Sequence, residues 1–328
     1  MDRKIGLSLP NRGVLFGATS VDELYALTER AEASGYFESV WVGDGLIAKP
    51  RLEAIATLSA LAARTERMLL GVCCMATFPL RNPILFACQW ASLDVISGGR
   101  SLLAVCLGAP TGRGGSNFAA ELAAMNVDGK TRVGRMEEAI EVVRSAWSGK
   151  STGAGRFWNF PEIDLEPKPL QQPCPIWIAS NPDPGKLSAE RYGIAIERVA
   201  RLADGWLSTV VSPQDFGRRL SQIQDAMDRI ARDGTMPSAV HLMVNLQNDS
   251  ATARTEAKRF LDEYYMTDTK PETMDVWGAY GTADDVLSRI DEYTSVGLEL
   301  PIIRFASFDQ KGQLDRALDE LLPSLAKR

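Results

Sequence analysis

Eight short apolar segments alternate with helical patterns along the chain, and this alternation restricts the fold more than any other feature. Each segment has the length and the aliphatic content of a buried strand, and a helical pattern follows each one. Strands that alternate with helices are parallel and joined by right-handed crossovers, and eight such units close a barrel. The predicted strands are Ile5–Leu9, Ser39–Val42, Met68–Met75, Leu102–Leu107, two strands within Pro175–Thr209 that flank a helix at Ile194–Ala203, Val240–Leu246 and Leu300–Phe305.

We therefore predict an α/β fold, a (β/α)8 TIM barrel that forms one domain over residues 1–328. An open doubly wound sheet is the alternative, but no GxGxxG follows the first strand. Two insertions are expected, the glycine-bearing segment Gly108–Asn117 after strand four and Lys150–Gln172 before strand five, the second of which suggests a hairpin. Lys270–Tyr280 is predicted to be a loop, and Ser20 with Glu23 predicts a capping box.

Charge and composition exclude several classes of protein. The net charge is -6, the pI is near 5.1 and there is no long basic run, so a nucleic-acid partner is not expected. No stretch of eighteen apolar residues occurs, and the chain starts with charged residues before a strand, so we expect a cytoplasmic protein without signal peptide or membrane span. An odd number of cysteines in apolar surroundings is typical of reduced thiols. They are Cys73, Cys74, Cys88, Cys106 and Cys174.

The predicted ends of the strands indicate what kind of ligand the barrel binds. Ligands of such barrels bind at the carboxyl ends of the strands. The residues there are mostly neutral, small and able to form hydrogen bonds, which suits a flat, largely apolar cofactor. Only Asp44 brings a carboxylate near a strand end, which argues against a hydrolase with paired carboxylates. A metal site is not expected, because the chain has a single histidine and no CxxC motif.

Individual candidates have both structural and functional interpretations. Ser180 and Asn181 form a turn that suits an anion, although both are ordinary turn residues. Asp44 is either a helix cap or a site residue, and Cys106 is either a packed thiol or a cofactor contact. His241 stands near the start of its predicted strand, so we expect a structural role at the closed end of the barrel.

Several segments resemble the bacterial luciferase-like flavin monooxygenase superfamily. They occur in the family's order over roughly residues 4–325. Together they are more specific than any one of them alone. The segments are Pro79–Pro83, Ala91–Arg100, Arg132–Ala139, Pro167–Gln171 with Pro175–Ile178, and Ala200–Trp206.

The resemblance implies a barrel that uses either reduced FMN with oxygen or the deazaflavin coenzyme F-420. The ring is expected in the barrel mouth over a bulge at the end of strand three, and the phosphate near the loop after strand five. The resemblance also implies a homodimer, a small-molecule substrate and a separate NAD(P)H flavin reductase as partner. The implied cofactor-binding residues are Cys73, Cys74, Met75, Cys106, Ser180 and Asn181.

The chain departs from the family pattern at three places. The histidine that commonly follows the acidic residue after strand two is replaced by Gly45, after Asp44. The glutamate that deazaflavin sugar-phosphate dehydrogenases carry after strand four is missing. Leu107 replaces the phosphate-binding arginine of luciferase, for which Arg113 is a substitute candidate. The catalytic residue is therefore unassigned, with Asp44 and Cys106 as weak candidates.

The leading functional prediction is a monooxygenase that uses reduced FMN and oxygen on a small organic substrate. Hydride transfer with coenzyme F-420 is the alternative within the oxidoreductases. A flavin-binding barrel without catalytic activity is the alternative from another class, and the missing histidine and glutamate keep it open.

Overall fold

The computed structural model describes residues 5–108 and 117–327, and its centre is a closed parallel barrel of eight strands. Neighbouring barrel strands pair in parallel register, and the pairing of the sixth barrel strand with the seventh closes the ring. The predicted (β/α)8 barrel is confirmed. In chain order the strands are β1 Gly6–Ser8, β2 Ser39–Val42, β3 Leu69–Met75, β4 Ser101–Val105, β5 Lys150–Ala154, β6 Asn159–Asp164, β7 Ile176–Ala179, β8 Gly205–Thr209, β9 Ser238–Leu246, β10 Gly278–Gly281 and β11 Leu300–Phe305.

Helices cover the outside of the barrel and lie between its strands. The predicted α1 is observed with its predicted bounds, and Ser20 accepts the backbone N–H of Glu23 at 3.1 Å. The carboxylate of Glu23 accepts instead the hydroxyl proton of Thr19 at 2.7 Å, so the structure shows only half of the predicted capping box. The helices are α1 Val21–Ser34, α2 Ala54–Ala62, α3 Pro83–Ser97, α4 Phe118–Ala124, α5 Arg132–Ser148, α6 Ala189–Leu202, α7 Pro213–Arg229, α8 Ser250–Tyr265, α9 Pro271–Trp277, α10 Ala283–Thr294, α11 Gln310–Arg316 and α12 Leu322–Leu325.

Two segments add secondary structure to the eight barrel strands and their helices. The insertion before the fifth barrel strand contains the antiparallel hairpin β5–β6, as predicted. The prediction of a loop at Lys270–Tyr280 is wrong, because this segment forms α9 and β10. Pro271 begins α9 at a position where its missing N–H costs nothing, and the short Gly-Ala-Tyr-Gly strand has no apolar alternation that would reveal it. Strand β10 pairs with β9 beyond the stretch that pairs with β8.

The barrel interior below its mouth is filled by two indole rings. Trp41 on β2 and Trp177 on β7 belong to one buried cluster of barrel residues. A side chain at Gly71 would meet the ring of Trp41 at 2.2 Å, and one at Gly205 would meet the ring of Trp177 at 2.2 Å. Glycine on the neighbouring strands therefore makes room for each indole.

No helix in residues 5–108 or 117–327 combines the length and the apolar character needed to cross a membrane.

Candidate active site at the barrel mouth

A cavity of about 380 Å³ lies at the carboxyl ends of the barrel strands. Its wall includes the end of β3, the loop after β2 and residues of β9 and β11. Tyr265 and Trp277 close one side. Tyr265 ends α8, and Trp277 ends α9 within the segment that was predicted to be a loop. A wider groove of about 790 Å³ shares wall residues with this cavity, among them Lys49 and Thr209. The mouth therefore offers two adjoining spaces, of which the groove is about twice as large as the cavity.

Strand β3 ends in the bulge that the family resemblance implied. The pairing of β3 with β4 shifts register between Cys73 and Met75, and the Cys73–Cys74 peptide bond is cis. Cys73 and Cys74 belong to the cavity wall, whereas Met75 is fully buried outside it. Burial raises the pKa of the Cys73 thiol, so this group stays protonated at neutral pH.

Cys74 and Cys106 form a disulfide with a Cα–Cα distance of 5.9 Å. The expectation that all five cysteines are reduced thiols is therefore wrong for this pair. The cause is local geometry: the bulge of β3 brings Cys74 to the end of β4, where Cys106 follows the last paired residue. Cys106 lines the cavity as part of a disulfide and not as a free thiol, and Cys73, Cys88 and Cys174 are free.

The two carboxylates in the cavity wall hold the surrounding loops. Asp44 accepts hydrogen bonds from the backbone N–H and the hydroxyl of Thr77, both at 2.7 Å, and from Arg81 at 3.2 Å. Glu121 is buried and accepts three consecutive backbone N–H groups, at distances of 2.7–3.1 Å, from the loop after β2. Asp44 thus serves as an anchor for Thr77 and Arg81, and Glu121 holds the loop after β2 through its Oε2 atom.

His241 lines the cavity, which corrects its expected position at the closed end of the barrel. Strand β9 begins at Ser238, two residues earlier than predicted, so His241 lies further along the strand. Its Nε2 atom has no hydrogen-bond partner among the described residues. Burial, followed by the positive charges of Arg304 and Arg51, lowers the pKa of His241 well below its ordinary value. The imidazole is therefore neutral at physiological pH.

Ser180 and Asn181 follow β7 as predicted, but their side chains act differently from each other. The amide of Asn181 donates to the carbonyl oxygens of Thr209 and Val210, at 2.7 and 3.1 Å. Its Oδ1 accepts a hydrogen bond from Arg219 of α7. Ser180 lines a small recess of about 120 Å³ beside the bulge of β3. Asn181 therefore orients an arginine that the sequence analysis missed.

Arg219, which is bonded to Asn181, is a candidate to bind an anion in the wider groove. Its side chain is 5% exposed, and its Nε atom has no partner in residues 5–108 and 117–327. It lines the wider groove together with Asn181 and Lys186. The signal in the sequence was its spacing, because Arg219 lies on the same helix face as the buried residues Phe216 and Ile223. Arg113, the earlier candidate for phosphate, lies outside the described residues, as do residues 109–116 in general.

Lys49→Met is expected to raise the free energy of unfolding at pH 7 by about 1–2 kcal/mol. Burial, followed by the positive charges of Arg51 and Arg12, lowers the pKa of Lys49 from 10.5 to about 8. Folding thus disfavours the charged lysine, and this penalty is complete below about pH 8 and disappears as the pH rises towards about 10.5. Urea unfolding should show a gap between variant and parent at pH 7 that narrows at pH 10. The exposed control Lys130→Met should show neither effect, and an equal gap for Lys49→Met at both pH values would contradict the prediction.

Comparison with known proteins identifies the class. The luciferase-like monooxygenase family model matches residues 4–300, and the chain belongs to this family. The family's enzymes are oxidoreductases, and the relatives use a flavin or the deazaflavin F420.

Two relatives show how the family divides. The oxygenase component of a flavin-dependent trigonelline monooxygenase from Acinetobacter baylyi is 23% identical, over 93% of this chain and 90% of the relative. An F420-dependent glucose-6-phosphate dehydrogenase from Beutenbergia cavernae is 26% identical, over 93% of this chain and 94% of the relative.

Solved structures show the same fold. The monooxygenase RslO1 from Streptomyces bottropensis superposes with a TM-score of 0.78 at 20% identity, over 98% of this chain and all of the other. An F420-dependent secondary alcohol dehydrogenase, solved with an F420-acetone adduct, gives a TM-score of 0.79 at 18% identity, over 99% of both chains.

Proposed function

We propose that the protein is a monooxygenase that uses reduced FMN and oxygen to oxidise a small organic substrate. The observation that carries this proposal is that the acid–base groups of the described cavity wall are poorly suited to accept a proton. A dehydrogenase that removes hydride from an alcohol must also accept the hydroxyl proton. Both oxygens of Asp44 accept hydrogen bonds, Oε2 of Glu121 accepts three backbone N–H groups, and the lowered pKa of His241 makes its neutral imidazole a weak base.

The residues of the mouth fit FMN. Arg219, with its unpartnered Nε, and Asn181, which orients it, would hold the phosphate. The bulge at Cys73–Cys74 and the neighbouring disulfide would support the ring, because they form the neutral part of the cavity wall. Bound and reduced FMN supplies the reaction with oxygen.

The chain itself contributes enclosure and fixed geometry. Tyr265 and Trp277, with ring centroids 4.8 Å apart, form a side wall that limits the access of water. Burial raises the pKa of Tyr265 to about 12, so the phenol stays neutral and accepts a hydrogen bond from Arg304 at 2.9 Å. Asp44 positions Thr77 and Arg81 at the edge of the cavity, and these bonds hold the loop after β2 against the loop after β3.

Cofactor titration followed by oxygen uptake tests the proposal. Fluorescence titrations with FMN and with coenzyme F-420 identify the cofactor, and we expect tighter binding of reduced FMN. Oxygen consumption is then measured with NADH and a separate flavin reductase, with and without a panel of small organic substrates. Substrate-dependent product formation supports the monooxygenase. Exclusive binding of F-420, with hydride transfer and no oxygen consumption, would contradict the monooxygenase and support an F-420-dependent oxidoreductase.

The F-420 alternative has specific support in the 26% identity to a glucose-6-phosphate dehydrogenase that depends on this cofactor. Binding of FMN without turnover of any substrate would instead favour a barrel that binds flavin and has no catalytic activity. We further propose that the protein is a cytoplasmic homodimer supplied by a flavin reductase, which size-exclusion chromatography and the reductase-coupled assay test.

A further inference from the structure

One side of the cavity carries three cations without a carboxylate partner. Lys49, Arg51 and Arg304 all line the cavity, and none of them is in an ion pair with a described residue. Their charged groups face aromatic rings instead. The ammonium of Lys49 is 4.9 Å from the ring centroid of Tyr265, and the guanidinium carbon of Arg304 is 4.7 Å from that of Tyr264. Cation–π contacts compensate only part of the cost of removing a charge from water.

Arg304 is the most constrained of these cations. Its side chain is 1% exposed, and its Nη atoms donate to the hydroxyls of Ser8 and Tyr265, at 2.7 and 2.9 Å, and to the carbonyl of Leu9 at 3.1 Å. These bonds fix the guanidinium in place, while its Nε has no partner among the described residues. A buried arginine that is fixed and incompletely satisfied is a preformed site for an anion.

The nearby carboxylates do not neutralise this cluster. Asp44 is bonded to Thr77 and Arg81, and Glu121 is bonded to backbone N–H groups. His241 is neutral, and its Nε2 is another polar atom of the wall without a partner in the described part of the chain. The cavity therefore holds an excess of positive charge in a largely apolar wall.

Two of the three cations, Arg304 and Arg51, lie across the barrel from the proposed phosphate site, whereas Lys49 lines both the cavity and the wider groove. The ring order of the barrel is β1, β2, β3, β4, β7, β8, β9 and β11, so β7 lies opposite β1. Arg304 lies on β11 and Arg51 follows β2, and these two strands flank β1. Asn181 follows β7 on the opposite side of the ring. A cofactor phosphate held by Asn181 and Arg219 therefore leaves Arg304 and Arg51 without an anion.

We propose that the substrate is a small organic carboxylate whose anionic group binds to Arg304, Arg51 and Lys49. The planar fork of a guanidinium matches the two oxygens of a carboxylate. The apolar part of the substrate packs against Tyr265 and Trp277, and the cavity of about 380 Å³ limits its size. This inference rests on the proposed function, because that function places the cofactor ring on the bulge of β3.

Calorimetric titration with two pairs of probes tests the substrate class. Benzoate is compared with benzamide, and butyrate with butyramide, on the FMN-loaded protein. We expect each anion to bind at least about tenfold tighter than its neutral amide, since charged hydrogen bonds contribute about 1.5–3 kcal/mol. Arg51→Gln and Lys49→Gln should remove this preference for the anion and leave amide binding unchanged. Arg304 is retained, because it also joins β11 to β1.

Arg64→Gln is the matched control, because Arg64 is a surface cation that pairs with Glu29. It should preserve the preference for the anion. A parent protein that does not distinguish either acid from its amide would overturn the proposal. So would variants at Arg51 and Lys49 that weaken FMN binding as much as benzoate binding, because the cluster would then serve the cofactor.

The same titrations separate this inference from the proposed function. The affinity for FMN is measured for every variant without any probe. If the parent binds neither FMN nor F-420 but still prefers benzoate through Arg51, the anion site stands and the flavin function fails. If FMN binds and supports oxygen uptake while no acid is preferred over its amide, the function stands and the carboxylate inference fails.

Discussion

Replacement of Cys74 and Cys106 by serine is expected to lower the free energy of unfolding by about 4 kcal/mol. The two cysteines are 32 positions apart, and a crosslink over such a loop reduces the freedom of the unfolded chain. The bond also joins the ends of β3 and β4 at the cavity wall. Urea unfolding followed by tryptophan fluorescence measures the difference between the parent and Cys74→Ser/Cys106→Ser.

A reductant provides the complementary measurement for the disulfide. A strong phosphine reductant should shift the urea midpoint of the parent towards that of the double variant and leave the double variant unchanged. Cys88→Ser is the control, because Cys88 is a free, partly exposed thiol, and this variant should respond to the reductant as the parent does. Equal midpoints of the parent in oxidising and reducing buffer would contradict the prediction.

Arg219→Met should weaken FMN binding by about 1.5–3 kcal/mol, a rise in Kd of roughly 10- to 150-fold. Methionine keeps most of the volume that packs on the buried face of α7 and removes the positive charge beside Asn181. Riboflavin has no phosphate, so its affinity should stay the same. Fluorescence titration with both ligands measures the two affinities in the same protein.

Arg218→Met is the matched control for this prediction. Arg218 precedes Arg219 on α7, but its side chain is 52% exposed and pairs with Asp215. The control should bind FMN as the parent does. Equal losses of FMN and riboflavin affinity in Arg219→Met would mean that this arginine supports the shape of the groove and does not contact a phosphate.

The fold could be predicted because its signals are local. Val21–Ser34 ends at a glycine and begins after a serine that caps it, and the structure places both ends as predicted. Buried parallel strands such as Ser39–Val42 and Leu300–Phe305 are short, mainly apolar segments, and their bounds agree as well. The prediction was wrong for Lys270–Tyr280, which lacks such a local signal because β10 is held by pairing with the distant β9.

The site could be predicted only where it depends on position along a strand. Asn181 and Cys73 were found because they stand at the carboxyl ends of their strands. The disulfide, the bond between Asn181 and Arg219, and the cation cluster join residues that are far apart in the sequence. These residues meet only when the barrel closes, so their contacts cannot be predicted from their spacing along the chain. His241 was misplaced because β9 starts two residues before its apolar run.

The indole rings of Trp41 and Trp177 pack inside the barrel against glycines of the neighbouring strands. In the proposed function, cofactor and substrate both bind at the carboxyl ends of the strands, where Tyr265 and Trp277 line the cavity. A substrate that lies above a flavin on the bulge of β3 would therefore cover the flavin until the substrate leaves. We therefore expect an ordered mechanism, in which the flavin binds before the substrate and dissociates after the product.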